Sequence, residues 1–378
     1  MNKTIKIGVI GLGRGISFLE SAEAAGLTLV AVCEQDEAKM NHELIGADVA
    51  RYTDYDAFLR HDMDAVILTN FFHEHTPFAI KALRAGKHVL SETSCNFTIA
   101  EGVELCEAVE ETGLIYMLAE NYPYTKFNQE LHRLYQSGEL GTATYAEGEY
   151  NHPASPAEMR SVLPSAKHWR AFIPRSYYNT HALAPLVYIT GQMPKTVVAL
   201  PITSNNQGFA ALVGTEGGAV FRLMGLALPG HSNHYRLHGT LGAAELTRGP
   251  GYFGPEQLRV WHDAWLTPEG TPKERTYVPS WPYNAELAEK SGHGGGDFWV
   301  NYHFAQAILT GEQPFLDVYC GVAMSTVGIL IHRSEMAGGM PQEVPDFRDK
   351  AAREKYRHDD WRPEENGQFW KPEYGASE

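Results

Sequence analysis

The chain lacks any apolar run long enough to span a bilayer (about 18 residues), so no membrane span is expected. Cysteine is scarce: Cys33, Cys95, Cys106 and Cys320 are the 4 among 378 residues, and they show no paired spacing. That excludes a disulfide framework and suits buried thiols in a reducing compartment. Positive charge is also short. Lys and Arg number 31 against 46 Asp and Glu, and the formal net charge of −15 argues against nucleic acid as a partner. Neither C-x-x-C nor H-E-x-x-H spacing occurs, so no metal site is expected from His152, His231, His234 and His293. The opening MNKTIKIGVIGLG enters an apolar alternation at once and has no secretory-signal pattern. A cytoplasmic protein is expected.

What is present is enough apolar residue, 43%, for two packed domains. KIGVIGL, LTLVAVC, AVILTN, HVLSE and LIYMLAE read as strands buried on both faces. Between them SFLESAEAAG, ADVARYTDYDAFLR, TPFAIKALRAG and TIAEGVELCEAVEETG carry helical spacing. Gly26 and Gly86 serve as stop signals. This alternation predicts a doubly wound α/β domain over residues 1–122. KFNQELHRLYQSG continues as a helix. After it TATYAEGEYN, KTVVALPITS, AALVGTEGGAVFRLMGLAL, YRLHGTLGAAELT and QLRVWHDA are strand-like. DFWVNYHFAQAILTG and DVYCGVAMSTVGILIHRSEMAGG return to helix. Residues 123–348 therefore read as an α+β domain with an open, mostly antiparallel sheet. Residues 349–378 read as an extended tail anchored by Trp361, Phe369 and Trp370.

Gly8-Val-Ile-Gly11-Leu-Gly13-Arg14-Gly15 follows the first strand and opens a helix. Glycines there allow a tight turn and close approach of backbone to a pyrophosphate, which the helix N-terminus attracts. The spacing departs from the full dinucleotide fingerprint, because Ile16 stands where its third glycine would fall. The second strand ends in Cys33-Glu34, about 20 positions on, where a carboxylate bonds an adenosine ribose and repels a 2′-phosphate. NAD rather than NADP is the expected cofactor.

With GVIGLGRG, LVAVCEQD, His75-Thr-Pro77, AGKHVLSE and a motif centred on His181, residues 4 to about 347 resemble the Gfo/Idh/MocA oxidoreductase family. In most of that family the strand end reads Glu-Lys-Pro, whereas here Glu92 is followed by Thr93. The family aspartate four residues before the histidine is Tyr177 here. A narrower match is to glycoside hydrolase family 109, an NAD-dependent branch that also lacks the lysine. It is carried by Phe72-His-Glu-His75, Glu120-Asn121, Trp169-Arg170, Tyr178-Asn-Thr-His181, His293-Gly-Gly-Gly-Asp297-Phe and GGMPQEVPDF. Asn179 and Thr93 depart from that branch's pattern, which has proline and valine there. The match implies that Arg14, Gly15, Glu34, His75, Glu92 and Asn121 hold NAD, with Gly11 and Gly13 in the turn. It implies that Tyr150, Arg170, Tyr178 and His181 face the sugar, and family resemblance alone implies a homo-oligomer. His293, after its glycine-rich turn, is a further candidate for the substrate cleft.

A threonine hydroxyl is too weak an acid or base for proton transfer, so the strand end needs another proton carrier. Tyr178 and His181, three apart, share a face on a helical turn or sit in the turn before a helix limited by Pro185. A histidine titrates near neutrality, and a tyrosine becomes more acidic beside positive charge. Three functions follow. The first is a redox-neutral hydrolase or lyase that transiently oxidises a sugar glycoside, an exception to the two-carboxylate scheme. The second is an NAD-dependent sugar or polyol dehydrogenase, and the third a silent NAD-binding sensor.

Overall fold

The computed structural model describes residues 4–153, 155, 157, 170, 172–202, 208–226, 233–247, 257–267, 269, 272–365 and 368–369. Trp169, His231 and Trp370 lie outside the described residues. Among the described residues, no helix is long and apolar enough to cross a membrane. The chain forms two compact units: Met1–Asn121 with Glu286–Thr326 and Asp346–Glu378, and Tyr122–Ala285 with Val327–Pro345.

In the first unit β1 (Ile5–Ile10), β2 (Leu27–Cys33), β3 (Ala50–Tyr52), β4 (Ala65–Leu68), β5 (His88–Ser91) and β6 (Tyr116–Leu118) form a six-stranded sheet in the order β3-β2-β1-β4-β5-β6. Every pairing is parallel. Ile7, Val9, Val66, Ile67, Val89 and Leu90 have no exposed surface, as strands covered on both faces require. Four helices alternate with the strands: α1 (Leu12–Ala22), α2 (Tyr55–Leu59), α3 (His75–Arg84) and α4 (Ile99–Thr112). A reciprocal cap starts α4, with Thr98 and Glu101 each bonding the other's backbone. The helix Gly296–Thr310 returns to this unit, where Asn301 Nδ2 donates to Phe18 O at 2.8 Å and Ser21 Oγ at 3.0 Å. Between β1 and β4 the strand order reverses, and the carboxyl ends of the strands at such a point form a ligand crevice.

Two expectations for this unit are corrected. ADVARYTDYDAFLR is not one helix: Ala50–Tyr52 pairs with β2 as β3, and α2 begins only at Tyr55. Asp54 makes the break, since its carboxylate accepts from Ala57 N at 2.7 Å and caps α2. Nor is the tail extended from 349 on, because Asp349 caps a helix at Lys350–Glu354. Arg353, only 2% exposed, ties it down by donating to Phe347 O and to Glu110 Oε2.

The second unit carries a nine-stranded sheet: β7 (Ala143–Asn151), β8 (Pro194–Pro201), β9 (Phe209–Thr215), β10 (Val220–Leu226), β11 (His234–Gly239), β12 (Ala243–Leu246), β13 (Leu258–Trp261), β14 (Glu274–Tyr277) and β15 (Gln342–Glu343). Its order is β14-β13-β12-β11-β7-β10-β9-β8-β15, and only β10 and β7 pair parallel. One face packs on the helix Thr180–Thr190, because Gly148 of β7 brings the strand against the Ala182 carbonyl. Leu200, Leu212 and Val220 are exposed beyond 35% at the β8–β10 end of this sheet. Along the middle strands Arg222 joins Glu147 and Glu149, and Arg236 joins Glu245.

Candidate active site

The glycine turn in the first unit has the shape of a dinucleotide cradle. Gly11 adopts φ 85°, and a Cβ there would stand 2.4 Å from Thr69 O, so only glycine fits. A Cβ on Gly13 would meet nothing within 4 Å, which leaves open space over the start of α1. One on Gly15 would strike Val9 Cγ1 at 2.7 Å, so this glycine lets α1 sit close on β1. Glu34 Oε2 accepts from Leu12 N at 2.8 Å and Oε1 from Gln35 N at 2.9 Å, which fixes the carboxylate beside the turn. Open space at a helix N-terminus beside a fixed carboxylate suits a pyrophosphate and a ribose. These residues fit NAD.

At the end of β5, Glu92 Oε1 accepts from Arg14 Nε at 2.6 Å, and Arg14 Nη1 and Nη2 reach Asp297 Oδ2 and Oδ1 at 2.9 and 2.7 Å. Asn121 Nδ2 donates to Asp297 Oδ1 at 2.9 Å, and His293 Nδ1 lies 2.8 Å from Oδ2. Burial alone would raise the Asp297 carboxyl. Hydrogen bonds from Arg14 and His293 outweigh it and hold the group well below the usual carboxylate range. His75, 2% exposed, sets its ring nitrogens 3.0 Å from Ser94 O and 3.3 Å from Asn70 O, fastening the β4 and β5 loops together. Burial lowers its pKa, and the hydrogen bond with Ser94 O opposes that. Thr93 is buried, and its amide donates to Glu92 Oε2 at 2.9 Å.

In the second unit four aromatic rings gather. The His181 ring centroid lies 4.5 Å from Tyr150, 4.7 Å from Tyr122 and 6.2 Å from Tyr178. Tyr178 ends a 3-10 turn, Arg175–Tyr178, and His181 lies in the first turn of Thr180–Thr190, the arrangement Pro185 favours. Pro185 has no N–H for the carbonyl four residues earlier, and the Tyr235 hydroxyl donates to that His181 O at 2.7 Å. Arg170 Nη1 donates to the Tyr178 hydroxyl at 2.9 Å, and the Arg175 guanidinium lies 5.5 Å from the Tyr150 ring centroid and 5.9 Å from that of Tyr178. The Tyr178 oxygen thus accepts from a cation. Tyr177, at the family aspartate's position, is buried.

The sequence reading missed Tyr122, although it adjoins the quoted Glu120-Asn121 pair, and Arg175, three residues before Tyr178. It also missed Asp297 as the acceptor that links Arg14, Asn121 and His293. The glycine-rich motif naming His293 and Asp297 was the available signal. One further cluster joins Glu147, Glu149 and His234. There Arg222 Nη2 already donates to Glu147 Oε2 at 2.9 Å and Glu149 Oε1 at 2.5 Å, supplying the positive charge itself.

Two family models match parts of the chain. The model of the oxidoreductase family with an NAD-binding Rossmann fold matches residues 5–120. The model of the glycosyl hydrolase 109 C-terminal domain matches residues 210–354. A glycosyl hydrolase family 109 protein of Solibacter usitatus is 28% identical, across 92% of this chain and 89% of its own. Another, of Saccharopolyspora erythraea, is 26% identical across 92% and 84%. In fold, the chain is similar to levoglucosan dehydrogenase in complex with NADH, with TM-score 0.77, 19% identity, and coverage of 91% of this chain and 100% of that one. It is likewise similar to myo-inositol 2-dehydrogenase from Lactobacillus plantarum, with TM-score 0.68, 19% identity, and coverage of 90% and 100%. Residues 5–120 are thus similar to the Gfo/Idh/MocA oxidoreductase family, and the chain is an enzyme with NAD as its cofactor. Across most of its length it is similar to the glycosyl hydrolase 109 proteins.

If Glu34 meets the ribose, NADP should bind at least about tenfold more weakly than NAD, because a 2′-phosphate would face a fixed carboxylate. Glu34→Ala should narrow that gap in a fluorescence titration. Equal affinity of the wild type for both cofactors would remove Glu34 from this role.

Proposed function

We propose that this enzyme cleaves a sugar glycoside, by hydrolysis or elimination, without net redox change. The observation that carries this reading is the substitution at the end of β5: Thr93, buried, stands where most of the family has lysine. The four-ring cluster around His181 then offers a phenol and an imidazole for proton transfer. The similarity to the glycosyl hydrolase 109 proteins supports the same reading.

Glu34, Arg14, Glu92 and Asn121, with the Gly11–Gly15 turn, are the residues assigned to NAD. His75 is assigned to the same site through the loops it fastens. NAD held there would take up hydride from the carbon of a sugar alcohol while the hydroxyl proton passes to solvent, giving a ketone, and would return the hydride as the proton is regained. A ketone acidifies the neighbouring C–H. His181 takes that proton, and Tyr178 gives its own to the departing glycosidic oxygen as the C–O bond breaks. Water added across the resulting alkene, its hydroxyl to the carbon that lost the glycosidic oxygen and a proton to the carbon beside the ketone, restores the saturated sugar in the hydrolase version. Tyr150 and Arg170 hold the sugar, with His293 a further contact. We assign the exposed Leu200, Leu212 and Val220 to a subunit contact in a homo-oligomer.

The test is one reaction in D₂O read two ways, by absorbance of reduced nicotinamide and by product mass. The expected result is free sugar carrying deuterium at the carbon beside the transient ketone, with no accumulation of NADH. Stoichiometric NADH with an intact, oxidised glycoside would establish a dehydrogenase instead. NAD binding with no change in any glycoside would leave a sensor.

A further inference from the structure

Asp297 has no exposed surface, and its two oxygens take four donors: Arg14 Nη2 and Asn121 Nδ2 on Oδ1, Arg14 Nη1 and His293 Nδ1 on Oδ2. Arg14 in turn holds Glu92, so a continuous chain of charged hydrogen bonds runs from the end of β5 to His293. His293 is unlike the other two partners, Arg14 and Asn121. Its side chain is 39% exposed, and among the described residues only Nδ1 is bonded. Its backbone is left-handed, φ 52°, and Gly294 and Gly295 follow at 60° and 90°. A non-glycine residue is strained there. The strain persists because the turn places the ring on a buried carboxylate.

We propose that Asp297 is a positioning residue serving two groups at once. It orients the Arg14 guanidinium against Glu92, and it fixes His293 as the Nδ1–H tautomer, with the Nε2 lone pair directed away from the protein toward substrate. An ionised carboxylate can only accept, so the proton of a neutral imidazole must sit on Nδ1. Arg14 and Asn121 satisfy the remaining lone pairs and keep the carboxylate ionised. The substrate half of the proposal rests on the glycoside reading above; the Arg14 and tautomer halves do not.

The experiment uses full-length protein labelled with ¹⁵N-histidine, at pH 9 to keep imidazoles neutral, with the His293 resonance assigned by its loss in His293→Asn. The expected wild-type spectrum has the proton on Nδ1 and an unprotonated Nε2. Asp297→Asn should move the proton to Nε2, lower kcat about 10- to 100-fold with a smaller change in KM, and weaken NAD binding about tenfold. His293→Asn should lower kcat comparably yet leave NAD affinity within about twofold, because Arg14 keeps its carboxylate. A wild-type Nε2–H tautomer overturns the proposal, as does a folded Asp297→Asn with unchanged tautomer and NAD affinity. Should Asp297→Asn fail to fold, the wild-type spectrum and the His293→Asn affinity still decide. If no glycoside is turned over, the functional reading falls while the tautomer and NAD results stand.

Discussion

His181→Ala is expected to lower kcat/KM on a glycoside by on the order of 10²-fold or more, and Tyr178→Phe by a similar factor. Thr93→Ala should stay within about threefold of wild type. The contrast follows from what each group can do with a proton. Thr93 is 6% exposed, and its amide is spent on Glu92, so its loss removes a small packed side chain and no acid or base. His181 lies among three tyrosine rings, and Tyr178 accepts from Arg170. Tyr178→Phe deletes one oxygen and keeps the ring, so its loss reports proton chemistry rather than packing. Two groups acting on one substrate should be non-additive, with the double variant little worse than the worse single. Steady-state kinetics on the four enzymes settles the matter. Near-normal turnover in both single variants would shift the proton work to Tyr122, Tyr150, His152 or His293.

Much of the fold was legible because parallel strands buried on both faces leave unbroken apolar runs such as Ala65–Leu68. Where local signals competed, the reading blurred. Residues 47–60 carry helical spacing, yet backbone pairing to β2 claimed Ala50–Tyr52 and the Asp54 cap set the helix start. The tail's composition carries no sign of the burial of Arg353, which depends on a partner, Glu110, far away in sequence. The return of the chain at Glu286 to the first unit leaves no compositional mark. The same limit holds at the candidate site. Glycine spacing pointed to the cradle and motif resemblance to Tyr178 and His181. Tyr122 and Asp297 gain meaning only from which rings and donors the fold brings to them.

Gly148→Ala is expected to destabilise the second unit by about 3 kcal/mol and to impair turnover although it touches no proposed ligand. A Cβ at this position would lie 2.0 Å from Ala182 O and 2.9 Å from Ala182 C, backbone atoms that cannot rotate away. The helix Thr180–Thr190 must therefore lift from β7. His181 is the preceding residue on that helix, and Tyr150 stands two residues along the same strand, on the same face. Their 4.5 Å ring contact is thus set by the glycine. A shift of about 1 Å in a catalytic group can lower the rate on the order of 10²-fold. For a unit of this size the stability loss corresponds to a fall in Tm of about 6–12 °C. Tyr235→Phe gives the milder companion. It removes the hydroxyl that serves His181 O in place of the N–H that Pro185 lacks, at a cost of about 1–3 kcal/mol. Thermal unfolding and kcat measured on both variants check the coupling: stability and turnover should fall together, further in Gly148→Ala. A Gly148→Ala enzyme with wild-type Tm and kcat would show that β7 and this helix do not approach as closely as the structure places them.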